Sequence, residues 1–199
     1  MKYLSRFNTF INESARLARL GLIGPTEKQK EFLDACTDGS WRFDATTGQV
    51  DIEGSFDCDD CNLDNFMGIQ FGKISGFFTC RNNYLKSLEG APREVEGTFS
   101  CMVNGLISLE HAPRKVGRDF LCATNLLENL YGCPEEVPGY FSCADNLLTD
   151  LSGAPLWVGD SFNCRNNLAL TSLNGLPIEV GSNIFVPENL EDELARMLS

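Results

Sequence analysis

The sequence predicts an α/β repeat solenoid, with parallel strands on one face, short irregular return arms and helical caps at both ends. Three observations predict it. A segment of about 21 residues recurs through the 199-residue chain, best seen at Gly76–Glu96, Gly97–Gly117, Arg118–Pro138 and Gly139–Gly159, with a copy one residue longer at Asp160–Gly181. Cysteine falls at 80, 101, 122, 143 and 164, each preceded two residues earlier by Phe and followed three later by Asn. Proline closes each copy, at 92, 113, 134, 155 and 177. A fixed period of this length marks a stack of identical supersecondary units.

Residues 1–40 differ in composition from the repeats. Tyr3, Leu4, Phe7, Phe10, Ile11, Leu17 and Leu20 follow helical spacing. Gly21 and Gly24-Pro25 end that segment, and Thr26 with Gln29 forms a capping-box signature for a second helix reaching about Ala35. The expectation is an N-terminal helical cap over 1–40. The solenoid follows over 41–186.

Its first rung, Gly54–Ser75, carries Phe56-x-Cys58 and places Cys61 where later copies have Asn. In each copy Phe and Cys alternate at period 2, which points both to one side of a short strand. Stacked in parallel about 4.8 Å apart, the pairs make a core that no single copy could bury. The asparagines Asn83, Asn104, Asn125, Asn146 and Asn167 are expected to form a ladder that satisfies backbone groups where the strands end. A Leu, a second Leu and Gly-x-Pro then make a return arm too short for a full helix. The last rung, Asn183–Val186, loses the cysteine. It runs into 187–199, where early acids, Arg196 and spaced Leu190, Leu194, Met197 and Leu198 predict a capping helix.

With Phe and Cys at two of its apolar positions, the pattern resembles the leucine-rich repeat. The arm Leu106-x-x-Leu109 leading to Pro113 and Val116 resembles the short repeats of bacterial effector proteins. The text GxFxCxxNxLxSLxGaPxxV, with its preamble Gly48–Cys58, is similar to repeat proteins encoded by bacteriophages, over roughly residues 41–189. That resemblance implies a leucine-rich-repeat-like fold and carries no common activity. Met1–Glu13 resembles the capsid-targeting leader of internal head proteins of T-even-like phages, which is cut after a Leu/Ile-x-Glu triplet. Ile11-Asn12-Glu13 followed by Ser14 fits that rule. The resemblance implies processing between Glu13 and Ser14, passage in the virion interior and delivery to the host cytoplasm.

Charge is uneven. Residues 1–30 hold six basic and two acidic side chains, a balance of +4, so the rest of the chain carries −16 of the total of −12. An acidic solenoid disfavours nucleic acid, whose phosphates it repels. It fits solubility, a basic protein partner or mimicry of a nucleic acid's charge. No segment approaches the ~18–20 apolar residues of a membrane span, and the start lacks the apolar run of a secretory signal. Neither a nucleic acid nor a membrane is expected as a partner.

Nine cysteines would point to disulfides in an exported chain. Here Cys58, Cys80, Cys101, Cys122, Cys143 and Cys164 share one repeat position, so they read as small buried hydrophobes, reduced in a cytosolic setting. Cys36 and Cys133 lie outside that stack. Cys58-Asp-Asp-Cys61 is a CxxC, but no second pair or nearby histidine completes a zinc site. Asp57, Asp59 and Asp60 lack the loop spacing of a calcium hand. His111, the only histidine, has no supporting constellation, and no phosphate-binding loop is present. The expectation is a protein with no enzymatic activity, metal or cofactor.

If the chain binds, the strand face is the natural surface. Residues beside the buried Phe-Cys pairs are expected to point outward: Asp57, Asp59, Phe77, Thr79, Arg81, Asp119, Leu121, Tyr140, Ser142, Asn163 and Arg165. Phe77, Leu121 and Tyr140 with flanking Arg have the composition of interface anchors. The expected function is protein–protein recognition of a host or phage protein, as a host- or defence-directed inhibitor. The alternative is a structural virion component without a host ligand.

Overall fold

A computed structural model describes residues 24–199. The helical spacing expected over Tyr3–Leu20, the leader and the Glu13–Ser14 processing point lie outside the described residues.

The described chain is a parallel-strand solenoid of about six turns. It opens with helix α1 (Glu27–Cys36) and an antiparallel hairpin of β1 (Thr37–Asp44) and β2 (Gln49–Asp57). Each later turn then contributes two very short strands rather than one. The front wall stacks the second half of β2 with β4 (Phe78–Thr79), β6 (Phe99–Ser100), β8 (Phe120–Leu121), β10 (Phe141–Ser142), β12 (Phe162–Asn163) and β14 (Ile184–Phe185). The rear wall stacks the first half of β2 with β3 (Phe71–Ile74), β5 (Glu94–Val95) and β7 (Lys115–Val116), followed by β9 (Glu136–Val137), β11 (Trp157–Val158) and β13 (Glu179–Val180).

The Phe-x-Cys reading locates the front wall in register. Phe78 pairs with Phe99, Phe99 with Phe120, Phe120 with Phe141 and Phe141 with Phe162. Their rings stack with centroids 5.3–5.8 Å apart and are fully buried. Each front-wall Cys is also buried, and its Sγ donates to a carbonyl of the next rung, as from Cys122 to Ser142 O at 3.3 Å. The rear wall was not anticipated. After the proline the chain is extended, and a Val at the same period (95, 116, 137, 158) points inward and is buried. A β-branched side chain favours that extended backbone. Between the walls the rungs nearly touch. A Cβ built on Gly117 would lie 1.9 Å from Glu96 O of the preceding rung, so in this rung the corner needs glycine.

The Asn ladder is continuous. Asn125 Nδ2 contacts Cys101 O at 3.1 Å, Cys122 O at 3.1 Å and Ala123 O at 3.4 Å, while its Oδ1 accepts from Leu106 N at 3.1 Å. Asn83, Asn104, Asn146 and Asn167 repeat the arrangement. Each amide therefore ties two rungs together through both its NH2 group and its carbonyl oxygen. The residue before it takes a left-handed conformation, with φ of 51° to 59° at Asn82, Val103, Thr124, Asp145 and Asn166. The return arms that follow consist of turns and bends, with Leu85/Leu88 and their equivalents buried.

At the N-terminal end the capping box is formed: Gln29 N donates to Thr26 Oγ1 at 3.3 Å, and Thr26 N to Gln29 Oε1 at 2.8 Å. Leu33 is buried, and Phe32 meets Phe56 edge-on at 5.6 Å. From Thr37 onward the chain is strand, and β1 lies antiparallel along all of β2. At the other end a 3-10 turn (Glu188–Leu190) leads into α2 (Glu191–Met197). Leu190 is buried there, and Glu193 Oε1 accepts from Leu173 N at 3.0 Å.

Candidate functional site

The front wall presents a grid. Residues between Phe and Cys form one column, and those just before Phe and just after Cys form the two flanking columns. Burying Phe and Cys on one side leaves these residues on the other.

Two ends of the grid carry polar networks. At the first rungs Asp59 Oδ1 accepts from Thr79 Oγ1 at 2.5 Å and from Arg81 N at 2.6 Å. The Arg81 side chain is half-exposed, with its Nε 3.9 Å from Asp59 Oδ2. Asp57 and Phe77 are exposed beside them. At the far end Tyr140 Oη accepts from Asn163 Nδ2 at 2.8 Å, Asn163 Oδ1 accepts from Arg165 N at 3.1 Å, and the Arg165 guanidinium lies 4.4 Å from the Phe185 ring centre. Asp119 links the rungs between: it accepts from Thr98 Oγ1 at 2.9 Å and from Tyr140 N at 2.8 Å.

The middle of the grid is lower. Ser142 is buried, at 5 % exposure, which corrects the expectation that it points into solvent. Its hydroxymethyl group is too short to rise above Leu121 and Asn163, its partners on either side. Ser100 is buried for the same reason between Thr79 and Leu121, and its Oγ has no hydrogen-bond partner. Thr79, Leu121, Tyr140 and Asn163 are partly buried. A shallow depression results, lined by Asp57, Phe77, Arg81, Ser100 and Leu121. An unpartnered buried hydroxyl is costly unless something outside the fold bonds to it.

A second surface was not anticipated. The residue after each ladder Asn faces solvent, and it is Tyr84 (66 % exposed), Leu126 (47 %), Leu147 (50 %) and Leu168 (97 %) in four of five rungs. Val103 and Ile107 add to this ridge, and exposed Asp60, Asp64, Glu128 and Asp145 flank it. The signal was present in the sequence as an apolar residue at the x of Asn-x-Leu. It was masked by the neighbouring Leu, which is the one that goes inward.

The Asp57–Cys61 cluster separates. Cys58 is buried, whereas Cys61 is exposed rather than taking a ladder position, because the first rung has no preceding rung for a ladder residue to bridge. Asp60 Oδ1 accepts from Asn82 Nδ2. Among the described residues no group of three His, Cys, Asp or Glu side chains is arranged to hold a metal ion. His111 is exposed in its turn, 3.8 Å from Glu110. Among the described residues no helix is long and apolar enough to cross a membrane. Comparisons with protein-family models, with curated proteins and with solved structures find no match to this chain.

Proposed function

We propose that this chain is a non-catalytic, leucine-rich-repeat-like protein of phage type that recognises a basic protein partner, with α1 and the 188–197 segment as its end caps. The observation that carries the reading is the front-wall depression. It sets an unpartnered, buried Ser100 hydroxyl between an exposed aromatic, Phe77, and a loosely engaged guanidinium, Arg81. Aromatic and arginine anchors around a desolvated polar group have the make-up of an interaction hot spot. The acidic rim of the neighbouring apolar ridge and the chain's net charge of −12 favour a partner that is basic around an apolar patch. The leader resemblance supports delivery from a virion to a host target, where the protein would act as an inhibitor.

The test is capture from host lysate on the immobilised chain, followed by titration of the purified captured protein against the wild type and a Phe77→Ala/Arg81→Ala variant. Saturable binding that weakens at least about tenfold in the variant supports recognition through this face. Binding that ignores the variant refutes it. Retention on phage particles with no host ligand would instead assign a structural virion role.

A further inference from the structure

We propose that Arg93, His111 and Arg114 form a binding site for a phosphate dianion, free or as a phosphate monoester, where the return arms meet the rear wall. The fold puts the two arginines at one repeat position. They immediately precede the rear-wall strands β5 and β7, and Arg114 N donates to Arg93 O at 3.0 Å. Their side chains thus leave adjacent rungs, about 4.8 Å apart. The same position holds Glu135, Leu156 and Ile178 in the later copies, so the basic pair is confined to two rungs.

The pair is unengaged in a chain with 28 acidic side chains against 16 basic ones. Arg42 and Arg81 pair with carboxylates, Arg165 lies over Phe185, and Arg196 donates to Asp192 O. Arg93 and Arg114 are exposed, and among the described residues neither guanidinium has a hydrogen-bond or ion-pair partner. Arg118 also has none, but it does not line the same cavity. That cavity is open, about 530 Å³ in volume, and is lined by both arginines together with Gln49, Gly90, His111 and Gly132. Its one acidic lining side chain among the described residues is Glu110, whose Oε1 lies 3.8 Å from His111 Nε2.

His111 supplies an independent observation. Each return arm ends in a turn whose third residue is left-handed, and four copies use glycine there: Gly90, Gly132, Gly153 and Gly175, with φ of 83° to 100°. The copy 97–117 has His111 instead, at φ 69°, with Ala112 N donating to Leu109 O at 3.0 Å across the turn. A side chain is crowded at that point, since a Cβ on Gly132 would lie 2.5 Å from Leu109 O of the preceding rung. Non-glycine residues are disfavoured in this region, and those that occur gather at binding and active sites. The chain's only histidine is therefore carried, against local preference, to the cavity that holds both arginines. Two guanidinium forks and an imidazole N–H suit a tetrahedral group with several oxygens and two negative charges.

The test uses the full, untagged chain, whose single histidine gives one imidazole C–H signal by NMR. Inorganic phosphate and phenyl phosphate are titrated at fixed pH and ionic strength. The expected result is a saturable shift of that signal which chloride does not reproduce. Tighter binding of phenyl phosphate would assign a monoester and equal binding free phosphate, and both uphold the site. Arg93→Gln and Arg114→Gln should each weaken binding about tenfold. The Phe77→Ala/Arg81→Ala variant, altered on the front wall, should bind phosphate as the wild type does. His111→Gly, followed by calorimetry, should also lose about tenfold in affinity while its urea midpoint rises, because glycine suits the left-handed turn. A shift that does not saturate, showing an adventitious ion only, would overturn the proposal. So would arginine variants that bind like the wild type, or a His111→Gly variant that keeps full affinity.

Discussion

Removing one amide from the middle of the Asn ladder should cost far more than removing the side chain that starts the series. Asn125→Ala deprives the Leu106 N–H of the Oδ1 it donates to at 3.1 Å, in a buried setting. A buried N–H left without an acceptor costs about 1–3 kcal/mol. The carbonyls fare better. Cys101 O keeps the Asn104 amide, Cys122 O keeps the Asn146 amide and Ala123 O keeps the Val103 N–H. Their weakening adds about 1 kcal/mol in all, for a net loss of about 3 kcal/mol. Cys61→Ala at the equivalent position of the first rung removes an exposed thiol and should change stability by less than about 0.5 kcal/mol. Urea unfolding followed by far-UV circular dichroism reads the difference. With a slope of about 2 kcal/mol/M, Asn125→Ala should lower the midpoint by about 1.5 M. A shift below about 0.5 M, or one equal to that of Cys61→Ala, would refute the claim that the ladder holds the rungs together.

Three further outcomes follow from the same geometry. Val103 is β-branched at φ 55°, where Asn82 and Asn166 occupy the equivalent turn, so Val103→Asn should stabilise by about 1 kcal/mol and raise the urea midpoint. Gly117→Ala should cost about 3 kcal/mol by forcing adjacent rungs apart, whereas Gly105→Ala, whose new Cβ would lie 3.6 Å from Leu85 O, should be near neutral by the same assay. Burial holds the Cys101 thiol up at about 12 and pushes Cys80, Cys122 and Cys143 up as well, against 9.0 for an ordinary thiol. Above pH 9 the unfolded chain gives up these protons while the folded chain keeps them. The contribution of these thiols to stability should thus be flat below that pH and fall toward pH 12, by about 1.4 kcal/mol per pH unit for each buried thiol. Cys101→Ala should make that slope shallower in unfolding titrations between pH 9 and 11, and an unchanged slope would contradict the assignment.

The front wall was legible because its two side-chain positions differ chemically from everything around them and recur without a gap. Phe-x-Cys and the Asn three residues later each have one physical use, and both were found where the spacing placed them. The rear wall was not legible. From β5 onward its strands are two residues long, and a single inward Val gives no alternation to detect. Within the site, Ser142 misled because period 2 fixes a side chain's direction and not its height above its neighbours. The β1–β2 hairpin was likewise unreadable, because Thr37–Asp44 has no strict apolar alternation.

The extra residue of the last full copy shows how this chain accommodates a change of length. Phe162 still pairs with Ile184, 22 positions on, where every earlier front-wall step from Phe78 is 21. The surplus is taken up between Asn167 and Leu170, where Leu170 N donates to Asn167 O at 3.0 Å and Leu168 is pushed almost wholly into solvent. The two walls admit no such slack, since the glycine corner and the amide ladder each connect adjacent rungs at contact distance. Insertion and deletion thus obey a grammar. Whole turns can be added or excised without leaving an unmatched junction, and single residues can enter only on the arm behind the ladder. Variation in length would then move the ridge while the spacing of the front grid stays constant.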